Sequence, residues 1–187
     1  VHVQTGATEI GQGSDTAVAQ MVAGTMGISF EKVHVVSTQD TDVTPFDTGA
    51  YASRQVYVVG NAVFKASREL REKILYFAAE LTETPSENLD IVDDNIVTLD
   101  QNAKQIISLA DLSIQAYYHK VIGGQLTADI SYKTTTNAPS FGCTFVDINV
   151  DIPLCRVTIN EIINIHDSGK IINPQMARGQ VEGGVAM

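Results

Sequence analysis

A glycine-rich turn between a strand and a helix constrains the fold of this chain most strongly. The turn, Gly11-Gln12-Gly13-Ser14-Asp15-Thr16, connects a β-type run at residues 1–5 to an amphipathic helical pattern that begins near Asp15. Backbone N–H groups at the start of a helix lack partners within the helix, and the helix dipole adds a partial positive charge there. The turn therefore predicts free donors for an anionic group, with the Gln12 amide as a further donor and acceptor. A plain capped turn, with Ser14 or Asp15 as N-cap, is the alternative interpretation.

Two further segments place small residues where a ligand could approach the backbone. Thr48-Gly49-Ala50-Tyr51-Ala52-Ser53-Arg54 follows a long polar loop and opens the helical pattern of residues 50–81. The last helical pattern contains Gly179-Gln180-Val181-Glu182-Gly183-Gly184, although glycine inside a helix costs about 1 kcal/mol relative to alanine. A capped helix start and helix–helix packing are the respective alternatives. Together, the three segments predict one large anionic ligand that is bound by main-chain donors and amides.

The remaining pattern predicts an α+β fold. Helical patterns cover residues 15–27, 50–81 and 108–118, with Gly27 at the end of the first and Ser108 as the cap of the third. Strand-like runs cover residues 33–37, 89–92, 96–99 and 127–136, with turns at Asp93-Asp94-Asn95 and Gly123-Gly124. Two alternating runs, 146–152 and 157–165, are joined by Pro153-Leu154 and favour an antiparallel pair. Pro174 begins the final helix. Strand and helix runs mix without strict alternation, and no parallel crossover is evident. We therefore expect mixed sheets with packed helices, divided into two α+β subdomains at about 1–85 and 86–187.

The acidic charge of the chain argues against two classes of partner. The sequence has 22 acidic and 12 basic residues, for a net charge of -10. Nucleic-acid binding depends on phosphate neutralisation by Lys and Arg, and an acidic chain does not seek anionic membranes, so we expect neither partner. Cys143 and Cys155 cannot hold a four-cysteine iron–sulfur cluster and are predicted to be buried thiols. The histidines show no ligand spacing, so no metal ligand is assigned.

Three segments of the chain resemble those of the molybdenum hydroxylases, the xanthine dehydrogenase and aldehyde oxidase family. Residues 5–16 resemble the glutamine-glycine segment of that family, and residues 47–55 resemble its small-residue cofactor loop. Asn173-Pro174 and the glycine-rich run around Gln180 resemble its late cofactor-binding helix. The segments follow the family's order and spacing over essentially the whole chain. Residues 39–47 and Ala52-Ser53-Arg54-Gln55 are most similar to the molybdenum-binding subunit of bacterial xanthine dehydrogenases.

The resemblance implies a molybdopterin cofactor with molybdenum, which bacterial members often carry as the cytosine dinucleotide. It assigns Gly11, Gln12 and Gly13 to the pterin–molybdenum end of the cofactor. It also assigns the phosphates or the pterin to the backbone N–H groups of six consecutive residues: Thr48, Gly49, Ala50, Tyr51, Ala52 and Ser53. Gln180 would add an amide contact. Iron–sulfur clusters and FAD are expected on other domains or subunits.

The activity that the resemblance implies is oxidoreductase chemistry: the hydroxylation of a purine ring carbon with oxygen derived from water, in the cytoplasm. The expected partners are the rest of the molybdenum subunit, iron–sulfur and flavin subunits, and a small heterocyclic substrate. The family's general base is expected beyond Met187, so no catalytic residue is assigned and the fragment alone is expected to be inactive. The alternatives are a nicotinate or aryl-coenzyme-A hydroxylase subunit, and a non-catalytic binding or assembly module of the same fold.

Overall fold

The structure, a computed structural model, describes residues 1–38, 40–100, 103–119, 124–136 and 138–187. It divides into two units, Val1–Thr134 and Thr135–Met187. The helices and strands, in chain order, are β1 (His2–Gln4), α1 (Ser14–Met26), β2 (His34–Val36), α2 (Gly60–Thr82), β3 (Leu89–Val92), β4 (Asn95–Thr98), β5 (Gln105–Ser108), α3 (Leu109–Tyr118), β6 (Phe141–Asp151), β7 (Arg156–Asp167) and α4 (Pro174–Ala186). The predicted α+β class is confirmed. The division into two α+β subdomains at about residue 85 stays a prediction.

A small βαβ arrangement, which the sequence analysis did not predict, opens the first unit. β1 pairs in parallel with β2, with His2 opposite His34, and α1 forms the crossover between them. The expectation of no parallel crossover was wrong because each strand has only three residues, too few to show a periodic pattern. The arrangement places the glycine-rich turn just beyond the carboxyl end of β1. Ligands of open parallel sheets bind at this end of the strands.

Helices α1 and α2 form the core of the first unit. Met26 is 0% exposed and Val22 is 2% exposed on α1, while Phe77 is 1% exposed on α2. Gly27 ends α1 in the left-handed conformation, with φ 75, as the sequence predicts. A Cβ atom added at Gly27 would lie 2.0 Å from the carbonyl oxygen of Ile91, so only glycine fits where α1 meets β3.

The helix predicted to start at residue 50 begins later. One π-helical turn, Gln55–Val59, leads into α2. Residues 50–53 form a loop, in which Ala52 and Ser53 adopt left-handed conformations with φ 50 and 54. Residues in this conformation cannot continue a right-handed helix, so the predicted helix start was wrong. The consequence is that residues 48–53 present a loop, not a helix N-terminus.

An antiparallel three-stranded sheet of order β3-β4-β5 completes the first unit together with α3. The predicted hairpin is confirmed, with Ile91 opposite Ile96. Ser108 caps α3 as predicted, because its hydroxyl oxygen accepts from the Asp111 N–H at 3.1 Å. β5 was not predicted from the sequence. The strand-like run at 127–136 forms no strand, since its residues find no partner strand in the described part of the chain. The predicted turn at Gly123 lies outside the described residues.

The second unit consists of a long antiparallel ribbon and one helix. β6 and β7 pair as predicted, from Phe141 opposite Asp167 to Asp151 opposite Arg156. Pro174 begins α4, and the Asn173 side chain caps it by accepting from the Met176 N–H at 3.0 Å. Every described side chain of this unit is exposed or half-exposed. Cys143 and Cys155 are therefore exposed, and the prediction of buried thiols was wrong. The reason is that a two-stranded ribbon lacks a second layer to cover its side chains.

Candidate functional site

The carboxylate of Glu9 fills the anion site at the start of α1. Its Oε1 atom accepts hydrogen bonds from the N–H groups of Gly11 at 2.8 Å and Gly13 at 3.0 Å. Its Oε2 atom accepts from the Asp15 N–H at 3.1 Å and from the Ser14 hydroxyl at 3.3 Å. The N-cap residue is Gly13, with φ 83, so neither Ser14 nor Asp15 caps the helix. The expectation of free donors therefore fails for Gly11, Gly13 and Asp15, whose N–H groups the chain's own anion holds. The N–H groups of Gln12, Ser14 and Thr16 have no partner in the described part of the chain.

These hydrogen bonds keep Glu9 ionised. Partial burial raises the pKa of its carboxyl, but the hydrogen bonds from the N–H groups of Gly13, Asp15 and Gly11 and from the Ser14 hydroxyl outweigh burial and bring the pKa below its ordinary value of 4.5. The start of α1 consequently carries a full negative charge at neutral pH. A second anion at the same place would be repelled by that charge.

Gln12 folds back onto its own turn. Its Oε1 atom accepts from the Ile10 N–H at 2.7 Å, and its Nε2 atom donates to the carbonyl oxygen of Thr8 at 2.8 Å. A primary amide can accept two hydrogen bonds and donate two, so each end of this half-buried side chain retains capacity for one more. The turn is thus closed by Glu9 and Gln12 together, and it presents the Gln12 amide in a fixed position.

The loop of residues 48–53, in contrast, leaves most of its backbone N–H groups unpaired in the described part of the chain. The backbone N–H groups of Ala50, Tyr51, Ala52 and Ser53 have no hydrogen-bond partner in the described part of the chain. Tyr51, Ala52 and Ser53 are exposed, and the left-handed conformations of Ala52 and Ser53 store backbone strain of the kind found at ligand sites. Successive unpaired N–H groups in a turn form a concavity that suits an anion. This loop therefore offers four consecutive donors with no carboxylate bound to them among the described residues.

An ion pair closes the base of this loop. The Arg54 Nη1 atom lies 2.5 Å from Asp47 Oδ1 and donates to the carbonyl oxygen of Gly49 at 3.0 Å. Asp47 Oδ1 also accepts from the Gly49 N–H at 2.7 Å. The two charged side chains are only 17% and 12% exposed, and the Arg54 guanidinium lies 5.7 Å from the centre of the Tyr51 ring. Arg54 therefore shapes the loop instead of offering a free cation to a ligand.

Contacts of the π-helical turn bring the two loops to the same side of the first unit. Gln55 and Val59 line a small cavity together with Ser14, at the start of α1. Both polar atoms of the Gln55 amide are buried without a partner among the described residues, and so is Asp15 Oδ1. A buried polar group without a partner costs about 1–3 kcal/mol, and π-helical turns recur at functional sites. The orphaned amide and the donor-rich loop fit an anionic ligand that forms many hydrogen bonds.

Gln180 belongs to the second unit and lies on the exposed surface of α4. A Cβ atom added at Gly179, Gly183 or Gly184 would meet no atom within 4 Å, so packing within the described part of this unit does not explain these glycines. Glu182 pairs with Arg178 at 2.6 Å, one helical turn away. An open groove of about 650 Å³ lies between α4 and β7, and its lining combines apolar side chains with the polar or charged side chains of Asn164, His166, Ser168, Arg178 and Glu182. The three glycines, which do not line this groove, leave the backbone of α4 open to close approach.

Neither a metal-binding cluster nor a membrane-spanning helix occurs in the described part of the chain. Groups of three or more histidine, cysteine, aspartate or glutamate side chains in a metal-binding arrangement are absent from the described residues. The helices within the described ranges are too short or too polar to cross a membrane.

The sequence of the chain matches known proteins over its full length. The family model of the molybdopterin cofactor-binding domain matches residues 1–187. The chain is 54% identical over 187 residues to the xanthine dehydrogenase molybdenum-binding subunit of Escherichia coli O157:H7, with 100% of this chain and 25% of that relative covered. It is 27% identical over 190 residues to the nicotine 6-hydroxylase large subunit of Paenarthrobacter nicotinovorans, with 99% of this chain and 23% of that relative covered. The chain thus spans about a quarter of the length of these relatives.

Solved structures share the fold over nearly the whole chain. Quinoline 2-oxidoreductase from Pseudomonas putida 86 matches with a TM-score of 0.85 and 26% identity, covering 99% of this chain and 24% of that chain. Carbon monoxide dehydrogenase from Oligotropha carboxidovorans matches with a TM-score of 0.86 and 26% identity, covering 96% of this chain and 22% of that chain. The family resemblance stated from the sequence is confirmed, and the relatives are oxidoreductases by name.

Proposed function

The chain belongs to the molybdopterin cofactor-binding domain family, and from this premise we propose that it is the cofactor-binding portion of a xanthine dehydrogenase-type molybdenum subunit. The observation that carries the proposal is the 54% identity to the xanthine dehydrogenase subunit over all 187 residues. That identity is twice the 27% shared with the nicotine 6-hydroxylase subunit. The proposed reaction is the hydroxylation of a purine ring carbon with oxygen derived from water.

The residues of the first unit fit the phosphates and pterin of such a cofactor. The unpaired N–H groups of residues 50–53 bind the anionic part, and Thr48 and Gly49 complete that loop. The buried Gln55 amide gains the partner that it lacks in the described chain. When bound, the cofactor supplies the redox chemistry of the hydroxylation. The role of this chain is to hold and orient the cofactor.

The glycine-rich turn contacts the cofactor through Gln12. The amide of Gln12 retains one donor and one acceptor position, and Gly11 and Gly13 carry no side chain that would block the pterin–molybdenum end. A Cβ atom at Gly11 would meet no atom within 4 Å, so the space beside it is open. Gln180 of α4 adds a further amide contact. No residue of this chain is assigned as the general base.

We place the other catalytic and electron-transfer components of the proposed enzyme outside this segment. The chain spans 25% of the xanthine dehydrogenase subunit that it resembles, so we place the general base and the substrate pocket in the rest of the polypeptide. Iron–sulfur and FAD-carrying domains or subunits accept the electrons, and the complex acts in the cytoplasm on a small heterocycle. The net charge of -10 agrees with a partnership that involves neither nucleic acid nor an anionic membrane surface.

The proposal is tested on the complete complex, purified with its partner subunits from cells that are supplied with molybdate. We expect molybdenum and a pterin in a stoichiometric ratio to the subunit, together with turnover of xanthine or hypoxanthine. Turnover of nicotinate or of an aryl-coenzyme-A thioester, without purine turnover, would replace the substrate assignment. The similarity to the nicotine 6-hydroxylase subunit makes nicotine a further compound to compare. A preparation without molybdenum would instead identify a non-catalytic module of the same fold.

A further inference from the structure

Glu9 makes more hydrogen bonds than any side chain to which the proposed function gives a role. We propose that Glu9 is a positioning residue: its carboxylate acts as a built-in anion at the start of α1, where it fixes the turn that presents Gln12 and excludes the cofactor's phosphates. The exclusion of phosphates rests on the proposed function, whereas the role in the turn does not. The proposal accounts for a helix start at which three backbone N–H groups, those of Gly11, Gly13 and Asp15, bind an anion of the chain itself.

The geometry requires a carboxylate and not simply a polar side chain. Glu9 Oε1 receives the Gly11 and Gly13 N–H groups, and Oε2 receives the Asp15 N–H and the Ser14 hydroxyl. Glutamine in the same position would turn an NH₂ group toward two of these donors. Only an ionised carboxylate accepts on both oxygens, so the four bonds depend on the charge as well as on the shape of Glu9.

The bonds of Glu9 and Gln12 interlock. Glu9 holds the N–H of Gly11 and the N–H of Gly13, the two residues on either side of Gln12. Gln12 in turn holds Thr8 and Ile10, the two residues on either side of Glu9. Gly11 and Gly13 adopt positive φ values of 101 and 83, which the turn needs and which glycine tolerates. Loss of the Glu9 carboxylate therefore frees the N–H groups of both glycines and removes half of the hydrogen bonds that fix the backbone around Gln12.

The charge of Glu9 also decides where a phosphate can bind. The start of α1 already holds one negative charge on its donors, and like charges at close range repel each other strongly inside a protein. The amides of residues 50–53 have no such internal anion among the described residues. The cofactor's phosphates are consequently directed to that loop, and the glycine-rich turn meets an uncharged part of the cofactor.

Chemical rescue with formate tests this role in the complete subunit. Glu9→Ala removes the carboxylate and leaves space for a small one, so added formate should raise the unfolding temperature of this variant in a saturable way, relative to chloride at equal ionic strength. Molybdenum per subunit should fall in Glu9→Ala and recover when the cells or the reconstitution mixture contain formate. Glu80→Ala is the matched control, because Glu80 is an exposed glutamate on α2 whose removal changes the net charge equally.

Glu9→Gln keeps the proposal testable if the alanine variant does not fold. Its amide fills the space, so formate should have no effect, whereas molybdenum per subunit should fall below that of wild type. Equal formate responses in Glu9→Ala, Glu80→Ala and wild type, or wild-type molybdenum content in Glu9→Gln, would overturn the proposal. If the wild-type complex itself contains no molybdenum, the proposed function fails, but the formate-dependent shift of Glu9→Ala still decides the role of Glu9.

Discussion

The two cofactor loops of the first unit resemble each other in sequence and differ in how their backbone donors are used. Both place glycine and other small residues beside a helix, and both were predicted to bind an anion. In the glycine-rich turn, the N–H groups of Gly11 and Gly13 bind the Glu9 carboxylate. In the loop of residues 48–53, four consecutive N–H groups have no partner in the described chain. The first loop already binds an anion of the chain itself, whereas the N–H groups of residues 50–53 bind none among the described residues.

The difference arises from one carboxylate in each case. Glu9 points into its loop and takes the donors, whereas Asp47 sits at the base of the second loop and is held by Arg54. Asp47 takes one N–H group, that of Gly49, and leaves the following ones open. The lesson is that a run of small residues predicts available donors only when the nearby acidic side chains are accounted for.

The largest expected effect comes from opening the base of the second loop. Asp47→Ala removes the partner of Arg54 and the acceptor of the Gly49 N–H, and the loss of such hydrogen bonds to a charged group costs about 2–3 kcal/mol. We expect the complete subunit to lose most of its molybdenum, measured per subunit by elemental analysis. Asp42→Ala in the same loop is the control, because Asp42 is exposed. Equal molybdenum in both variants would contradict the role of the ion pair.

A smaller effect is expected at Gln55, where one substitution should raise the stability of the subunit and weaken its binding of the cofactor. Gln55→Met removes a buried amide without a partner, so the cofactor-free subunit should become about 1–2 kcal/mol more stable toward urea. The same change should weaken cofactor retention if the ligand supplies the missing hydrogen bonds. Ser67→Ala on α2 is a suitable control, since Ser67 is also a buried polar residue. A variant that gains stability and keeps its cofactor unchanged would remove Gln55 from the site.

The pH dependence of stability separates the two loops further. The pKa of Glu9 is lowered on folding, so its contribution to stability is present above the ordinary value of 4.5 and is lost as pH falls through the folded pKa. The unfolding temperature of wild type should therefore exceed that of Glu9→Gln at neutral pH, and the difference should shrink below pH 4.5. A difference that is independent of pH would show that the charge of Glu9 does not stabilise the turn.

The smallest effect on stability is expected at Gln180. This side chain is exposed on α4, and surface substitutions of this kind change stability by less than about 0.5 kcal/mol. Gln180→Ala should leave the unfolding temperature of the complete subunit unchanged while molybdenum retention falls. Gln175→Ala, at an exposed position earlier on the same helix, should change neither quantity. If both variants retain wild-type molybdenum, Gln180 makes no cofactor contact.

The sequence predicted the elements with strong local signals. The 13-residue helix α1, the hairpin of β3 and β4, the Ser108 cap and the β6–β7 ribbon are all found where the patterns indicate them. Each combines a long periodic run with turn or cap residues that have one favoured conformation. The order and spacing of the three small-residue segments also identified the family, which the match over residues 1–187 confirms.

The remaining features depend on contacts that no local pattern encodes. The pairing of β1 with β2 joins two strands of three residues each, across an intervening helix. The late start of α2 follows from left-handed Ala52 and Ser53, two residues that normally favour helices or are indifferent to them. The role of Glu9 was not predicted because the N–H groups that its carboxylate binds lie up to six residues later in the chain. The signal that could have found it is an acidic residue just before a glycine-rich helix start.

Hydrogen–deuterium exchange of the backbone amides tests the contrast between the two loops most directly. The measurement compares the complete subunit with and without cofactor, using peptides that cover residues 9–15 and 48–54. We predict that the amides of residues 50–53 exchange rapidly without cofactor and become protected when it is bound. We also predict that the amides of Gly11, Gly13 and Asp15 are protected in both states, since Glu9 binds them throughout. Protection that appears at Gly11 and Gly13 on cofactor binding, with no change at residues 50–53, would contradict this account.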